Sequence, residues 1–314
     1  MKVVIAGGSG FIGRHLAKAL VARGDEVVIL SRDAPQDDGC SARVVEWDGK
    51  NLGPWAREID GADAVVNLAG KNVNCRYTPR ALKEVDESRV NAVSVMGQAI
   101  RNAKRPPRVL VQASTTAIYG DAGERECDEL TPPREGIPPA TAKMWEAAFA
   151  ASATPQTRRV TLRISFALGA DGGALRMLSN LARCFMGGAV GSGRQFISWI
   201  HIDDLVRLIL RAIDDDAMTG LYVAATPNAV RNAEFMRQLR RMLHRPWSPR
   251  VPAMMVRFGC FVLRTEPVLA LTGRKAVPRR LLESGFTFDH PDLPEALDSI
   301  FGSEMQPKTV PSMA

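Results

Sequence analysis

Glycines occupy positions 7, 10 and 13 of Gly7-Gly8-Ser9-Gly10-Phe11-Ile12-Gly13, directly after the apolar run Val3-Val4-Ile5-Ala6. Each suits a turn that carries phosphate. Gly7 turns the chain out of a strand, Gly10 lets backbone N–H groups approach a pyrophosphate, and Gly13 lets the following helix pack closely on the strand. The helix N-terminus adds its partial positive charge. Such a turn can also be an ordinary tight connection, but here a strand precedes it, a helix follows it and a second strand follows at residues 26–30, the context of a dinucleotide site. A carboxylate at the end of that second strand would bond ribose hydroxyls and repel a 2′-phosphate. The sequence has Ser31-Arg32 there, a hydroxyl and a guanidinium suited to bidentate phosphate contact, with Asp33 one residue late. The expected cofactor is NADP(H).

The elements that must hold this turn are legible as alternating runs. Residues 2–6, 26–30, 64–68, 109–112 and 159–163 read as strands, and residues 11–24, 79–102 and 139–153 as helices. Nearly continuous apolar strands separated by helices predict an α/β fold, a Rossmann-type doubly wound parallel sheet covered on both faces. Beyond Phe166 the alternation breaks up among glycine-rich turns and prolines, which predicts a smaller, mixed C-terminal substrate lobe. The expected division is residues 1–165 for the dinucleotide-binding domain, with 195–225 returning to it, 166–301 for the lobe and 302–314 for a loose tail.

Composition excludes several classes. The 314 residues are 46% hydrophobic and 24% charged, as in ordinary globular proteins. The most apolar stretch, residues 253–271, contains Arg257, Arg264 and Glu266 and is too charged to span a bilayer. Met1 leads straight into a strand, without the pattern of a signal peptide. The five cysteines (40, 75, 127, 184 and 260) are scattered without CxxC spacing, which predicts neither disulfides nor zinc and a cytoplasmic location. Residues 227–290 hold twelve Lys and Arg against four Asp and Glu, more than the whole net charge of +7. With no recognition motif or interleaved aromatics, this surplus fits an anionic small molecule or solvated helix faces, not nucleic acid.

Further motifs resemble the extended short-chain dehydrogenase/reductase superfamily: the 7-10-13 glycines, Asn67-Leu68-Ala69-Gly70, Ala113-Ser114-Thr115-Thr116-Ala117-Ile118-Tyr119-Gly120, and Arg163 with Gly169. Within it the chain resembles the atypical "epimerase family" branch, nucleoside-diphosphate-sugar epimerase-like, with a C-terminal domain of its own. Arg76, Ser88-Arg89, Trp145-Glu146, Gly172-Gly173-Ala174-Leu175, residues 195–205 and Gly285-Phe286-Thr287-Phe288 carry that closer likeness, which extends over residues 1–301. The resemblance implies that Gly7, Gly10, Phe11, Ile12 and Gly13 hold the pyrophosphate. It also implies that Leu68, Ala69 and Gly70 line the adenosine side, and that Ala113 and Ser114 meet the nicotinamide ribose. Thr115 takes the slot of the catalytic Ser/Thr, where its hydroxyl either bonds a substrate carbonyl or caps the backbone.

The superfamily's chemistry rests on Tyr-x-x-x-Lys, in which the lysine lowers the tyrosine pKa so that the phenol can move a proton. The matching stretch reads Pro139-Ala140-Thr141-Ala142-Lys143. Lys143 remains for the ribose, but a proline stands in the tyrosine slot. Tyr119 is the nearest phenol in sequence, as a replacement acid or simply a core aromatic. Phe166 replaces an asparagine common in sugar-nucleotide members, which weakens a sugar-nucleotide reading. A pocket between the lobes is expected to take Arg76 on one side and Gln195, Ser198, Trp199 and His201 on the other. His201 invites an acid–base reading, although its apolar neighbours Ile200 and Ile202 favour a structural bond.

Two functions follow. One is an NADP(H)-dependent oxidoreductase or epimerase acting on a small anionic carbonyl or alcohol, as a monomer or homodimer without nucleic-acid or membrane partners. The other is a non-catalytic NADP(H)-binding sensor or scaffold.

Overall fold

The computed structural model describes residues 1–32, 41–245, 247–262 and 264–305. The apolar runs become strands because their β-branched residues, such as Val3, Val4, Ile5, Val65 and Val66, are buried on both faces of a parallel sheet. In chain order the first elements are β1 (Lys2–Ala6), α1 (Phe11–Ala22), β2 (Glu26–Ser31), β3 (Arg43–Glu46), β4 (Ala64–Asn67) and α2 (Pro79–Asn102). They are followed by β5 (Val109–Thr115), β6 (Glu126–Cys127), α3 (Ile137–Ala151), β7 (Arg158–Ile164), β8 (Phe166–Leu168) and α4 (Gly173–Arg183). Next come β9 (Phe196–Ile197), β10 (Trp199–His201), α5 (Ile202–Asp214), β11 (Gly220–Ala224), β12 (Val230–Arg231) and α6 (Asn232–Met242). The last are α7 (Ala253–Val262), α8 (Val268–Leu271), β13 (Lys275–Ala276), α9 (Arg279–Glu283) and α10 (Leu293–Met305).

The central sheet has seven parallel strands in the order β11-β7-β5-β4-β1-β2-β3. Strand order reverses between β1 and β4, so a crevice opens at their carboxyl ends, where doubly wound sheets bind ligands. β11 is an edge strand of this sheet and α5 packs on α1, so residues 202–224 return to the first lobe.

A second core of Leu168, Leu175, Trp199, Phe235, Leu239 and Leu297 holds the smaller lobe. The chain after α6 then wraps back: β13 pairs with β6, and Arg280 Nη1 donates to Leu221 O at 2.6 Å. Helix α10 continues to Met305, past the residue 302 at which a loose tail was expected, and residues 306–314 lie outside the described residues. The apolar stretch 253–271 divides between α7 and α8, and no helix of the described residues is long and apolar enough to cross a membrane.

Candidate functional site

The glycine turn is built as tightly as its spacing implies. Gly7 adopts φ +76°, and a Cβ there would lie 2.9 Å from Ala69 N. At Gly13, where α1 presses on the turn, a Cβ would lie 2.5 Å from Gly8 Cα and 2.7 Å from Gly7 O. Gly10, the N-cap of α1, has no side chain to bond the first N–H groups of the helix, which suits them to a phosphate. The buried Ser31 hydroxyl lies 3.0 Å from Ser9 Oγ, which ties the end of β2 to the turn, and Arg32 is exposed beside it. Asp33 lies outside the described residues. Close backbone, uncapped amides and an adjacent guanidinium fit a dinucleotide with an extra phosphate.

Next to the turn lies a cleft of about 260 Å³. Ile12 and Leu68 line it from the turn, and Ala113, Ser114 and Thr115 from the end of β5. Tyr77, Val85 and Arg89 contribute from α2 and the loop before it, and Pro138, Thr141 and Trp145 from α3. Thr115 Oγ1 accepts the Ala117 N–H at 3.1 Å, which leaves the hydroxyl hydrogen to donate to a ligand. Trp145 Nε1 and Ser165 Oγ, both in side chains that line the cleft, are buried with no hydrogen-bond partner among the described residues. Such groups are costly to leave unmade, so a polar ligand would be welcome here.

Among the described residues that line the cleft, Arg89 alone is charged. Burial pulls its pKa down, and Tyr77 and Asp86 act against that. A guanidinium stays protonated regardless. Its Nη1 donates to Val85 O at 3.0 Å and its Cζ sits 5.0 Å over the Trp145 ring, so the cation is held in place. The Tyr77 phenol is pushed up to about 12, first by burial and then by the nearby Cys75 and Glu266, so it remains a hydrogen-bond donor. Tyr77 N donates to Glu266 Oε1 at 2.6 Å, Thr265 bonds Asn74, and Leu269 lines the cleft, so the segment around α8 covers this side.

Behind the cleft runs a buried ionic network. Arg163 donates to Glu146 through Nε at 2.9 Å and Nη2 at 2.8 Å, and Ser114 Oγ donates to Glu146 Oε1 at 2.6 Å. Burial opposes the Arg163 charge, but the Glu146 bonds and charge more than reverse this and raise its pKa. The network fixes Ser114, next to Thr115.

Several expected site residues stand elsewhere. Tyr119 is fully buried; its hydroxyl accepts from Arg163 Nη1 at 3.0 Å and donates to Asp128 O at 2.6 Å. With both roles filled and burial pushing its pKa up to about 12, it does not replace the missing acid. Lys143 is absent from the cleft lining, and its Nζ lies 3.4 Å from Glu135 Oε1. The reason is helical phase. Pro138, Thr141 and Trp145, three and four residues apart, share the cleft face, whereas Lys143 is about 200° round from Thr141.

The expected substrate residues are also taken. Gln195 Nε2 donates to Val190 O and Ala270 O, both at 3.0 Å. Ser198 Oγ donates to Arg274 O at 2.8 Å and accepts from Ala276 N at 2.7 Å. Trp199 is buried with Nε1 on Asn228 O at 3.1 Å, and Phe166 packs edge-on to Phe235 in the second core. His201 caps α5: its Nδ1 accepts Asp203 N–H at 3.2 Å. Burial and the neighbouring His290 hold its pKa down to about 4, so it is neutral. Arg76 lies 4.8 Å over the Phe261 ring, outside the cleft lining. All six join segments of the molecule together instead of facing the cleft. Arg89 and Thr141 lie within motifs of the family likeness that assign them no role, and Tyr77 has none there either; all three line the cleft.

Comparison with known proteins agrees with this architecture. Residues 3–224 match the NAD dependent epimerase/dehydratase family, and residues 251–300 match a domain of unknown function, DUF1731. Epimerase family protein YfhF of Bacillus subtilis (strain 168) is 32% identical over 302 residues, 96% of this chain and 98% of that protein. The crystal structure of human epimerase family protein SDR39U1 (isoform2) with NADPH has a TM-score of 0.85 and 32% identity, over 96% of this chain and 99% of that one. A nucleoside-diphosphate sugar epimerase from Corynebacterium glutamicum has a TM-score of 0.77 and 28% identity, over 96% of this chain and 58% of its own. The fold, the phosphate turn and the two matched regions together make this chain a member of the NAD dependent epimerase/dehydratase family, in the group of epimerase family proteins that carry a C-terminal DUF1731 domain.

Proposed function

We propose that this chain is an NADP(H)-dependent oxidoreductase or epimerase of the extended short-chain dehydrogenase/reductase type, acting on a small anionic carbonyl or alcohol compound. The observation that carries the reading is the continuity of turn and cleft: Ile12 and Leu68 border the glycine turn and line the same cavity as Thr115, Tyr77 and Arg89. The human relative crystallised with NADPH supports the choice of cofactor. Gly7, Gly10, Phe11, Ile12 and Gly13 hold the pyrophosphate, Ser31 and Arg32 the 2′-phosphate, Leu68, Ala69 and Gly70 the adenosine side, and Ala113 and Ser114 the ribose. When bound, the cofactor supplies or accepts hydride.

The chain's own residues handle charge and protons. Arg89 binds the substrate anion, and its desolvation strengthens that attraction. The Thr115 hydroxyl donates to the substrate oxygen, assisted by the Tyr77 phenol, which lines the same cleft, so developing negative charge meets preorganised donors. Thr115→Val is expected to lower NADPH turnover about 100-fold, while Thr115→Ser, which keeps the hydroxyl, retains most of it. Stopped-flow absorbance of NADPH with candidate hydroxy- and oxo-acids reads this. Equal rates for Thr115→Val and the parent protein would remove Thr115 from the mechanism.

Cofactor choice is tested separately. Arg32→Ala is expected to weaken NADPH binding about 10- to 100-fold and leave NADH nearly unchanged, the size of one charge-assisted phosphate contact. Calorimetric titration with both nucleotides checks it, and equal loss for both would place the 2′-phosphate elsewhere. A second reading, an NADP(H)-binding sensor or scaffold, is favoured by one observation: the cleft face of α3 presents Pro138, Thr141 and Trp145, with neither tyrosine nor lysine. It predicts tight NADPH binding without hydride transfer to any substrate.

A further inference from the structure

Thr141, on the cleft face of α3, donates its hydroxyl to Asp86 Oδ1 on α2 at 2.7 Å. A threonine inside a helix can spend this proton on the carbonyl four residues back. Here it goes to the neighbouring helix, and no donor among the described residues meets the two lone pairs of Oγ1, which remain for a ligand in the cleft. Asp86 does not line the cleft, so a ligand reaches its carboxylate only through Thr141. On the enzymatic reading of this cleft, we propose that Thr141 and Asp86 form a proton relay in place of the missing tyrosine: Thr141 Oγ1 takes the substrate's hydroxyl proton and passes its own to Asp86.

The other acids around the cleft are committed. Glu146 is held by Arg163 and Ser114, Glu266 accepts the Tyr77 N–H, and the Tyr119 hydroxyl has both its roles filled. Asp86 forms no ion pair among the described residues, although its charge is felt at both Arg89 and Tyr77. It can therefore take a proton without breaking a salt bridge. Position favours Thr141 as well. Pro139, in the tyrosine slot, is buried and off the cleft lining, whereas Thr141, two residues on, is part of it. The two threonines are complementary: Thr115 has a hydrogen to donate, and Thr141 has lone pairs to accept. An alcohol oxygen between them gives its proton to one and accepts a hydrogen bond from the other. In the oxidising direction the substrate O–H bond breaks as its proton joins Thr141 Oγ1, and the Thr141 O–H bond breaks as its proton joins Asp86 Oδ1. The carbon loses its hydride to NADP+ and the C=O bond forms. Reduction runs both proton transfers backwards.

The full chain, saturated with NADP+, is titrated calorimetrically with mandelate, lactate and 3-hydroxybutyrate, each beside the acid that lacks the hydroxyl (phenylacetate, propionate and butyrate). At least one hydroxy acid is expected to bind about 10-fold or more tightly than its partner. Thr141→Val, which keeps the shape and removes the acceptor, is expected to erase that preference, and Thr141→Ser to keep it. Asp86→Asn still accepts the Thr141 bond but cannot take up the proton. Its hydroxyl preference should stay while hydride transfer, read by NADPH absorbance, falls about 100-fold. In H2O–D2O mixtures the parent rate should fall along a curve, because two protons move together; a purely structural tie between α2 and α3 gives no such curvature. A hydroxyl preference that is absent from the parent protein or survives in Thr141→Val, undiminished transfer in Asp86→Asn, or a straight-line dependence on D2O would each overturn the relay and leave the enzymatic reading standing. Bound NADP+ with no hydride transfer from any of the hydroxy acids would overturn both.

Discussion

Gly13→Val is expected to abolish NADPH binding at any practical concentration, with affinity reduced more than about 100-fold and folding stability reduced by about 2–4 kcal/mol. The added Cβ would stand 2.5 Å from Gly8 Cα and 2.7 Å from Gly7 O, both backbone atoms that no rotamer change can withdraw. Either α1 tilts off the sheet or the turn spreads, and both move the uncapped amides away from the pyrophosphate. Gly10→Ala is the matched control. Its Cβ would meet only Gly7 O, at 3.3 Å, so the fold should survive nearly unchanged. Calorimetric NADPH titration together with thermal melting separates the two effects. A Gly13→Val protein that melts normally and still binds NADPH would show that the nucleotide does not sit on this turn.

The second large effect belongs to the network behind the cleft. Arg163→Leu is expected to cost roughly 3–5 kcal/mol, because Glu146 and the Tyr119 hydroxyl would remain in the interior without their partner. Arg163 is only 5% exposed, so water can do little to compensate. Glu146→Gln should cost less, since its carboxylate is nearer the surface and an amide keeps part of the pattern. The double variant Arg163→Leu/Glu146→Leu should recover much of the loss, as buried pairs replaced by apolar groups often do. Urea denaturation of the four proteins gives the coupling energy directly. Single-variant costs below about 1 kcal/mol would mean that the pair is largely solvated.

The parts of this molecule that were legible in sequence are those whose information is local. Strands β1, β2, β4 and β5 are marked by nearly continuous burial and β7 by its buried Val160 and Leu162–Ile164, and α2 begins and ends at the expected residues. Strand β3 was not: at the sheet edge it has only Val44 and Val45, both half-buried, between exposed Arg43 and Glu46, too short an apolar run to mark a strand. Helix α3 begins at Ile137, two residues before the expected start, because Pro138-Pro139 offers two equivalent starts. The place expected for Lys143 came from the Tyr-x-x-x-Lys likeness, which does not say that Thr141 and Trp145 take the cleft face. The error over Ser198 and Trp199 is of another kind. Their partners, Arg274, Ala276 and Asn228, come from distant segments, and no local pattern tells a hydroxyl or indole awaiting a ligand from one already engaged. Arg89 did leave a signal. It lies four residues after Val85 on the stripe that continues through Ala92, Val93 and Met96, and a charged group on a buried stripe asks for a partner.

The strand order has a bearing on how the chain is made. Read from β1, the sheet adds β2 and then β3 on one side, and β4, β5, β7 and β11 in turn on the other. Each strand leaving the ribosome therefore finds an edge already standing, and no strand has to insert between two that have paired. Parallel sheets close long loops and fold slowly, with sticky edges exposed meanwhile. A sheet that grows only outward keeps that exposure to its two current edges, and α5, delivered just before β11, covers one face as the last strand docks.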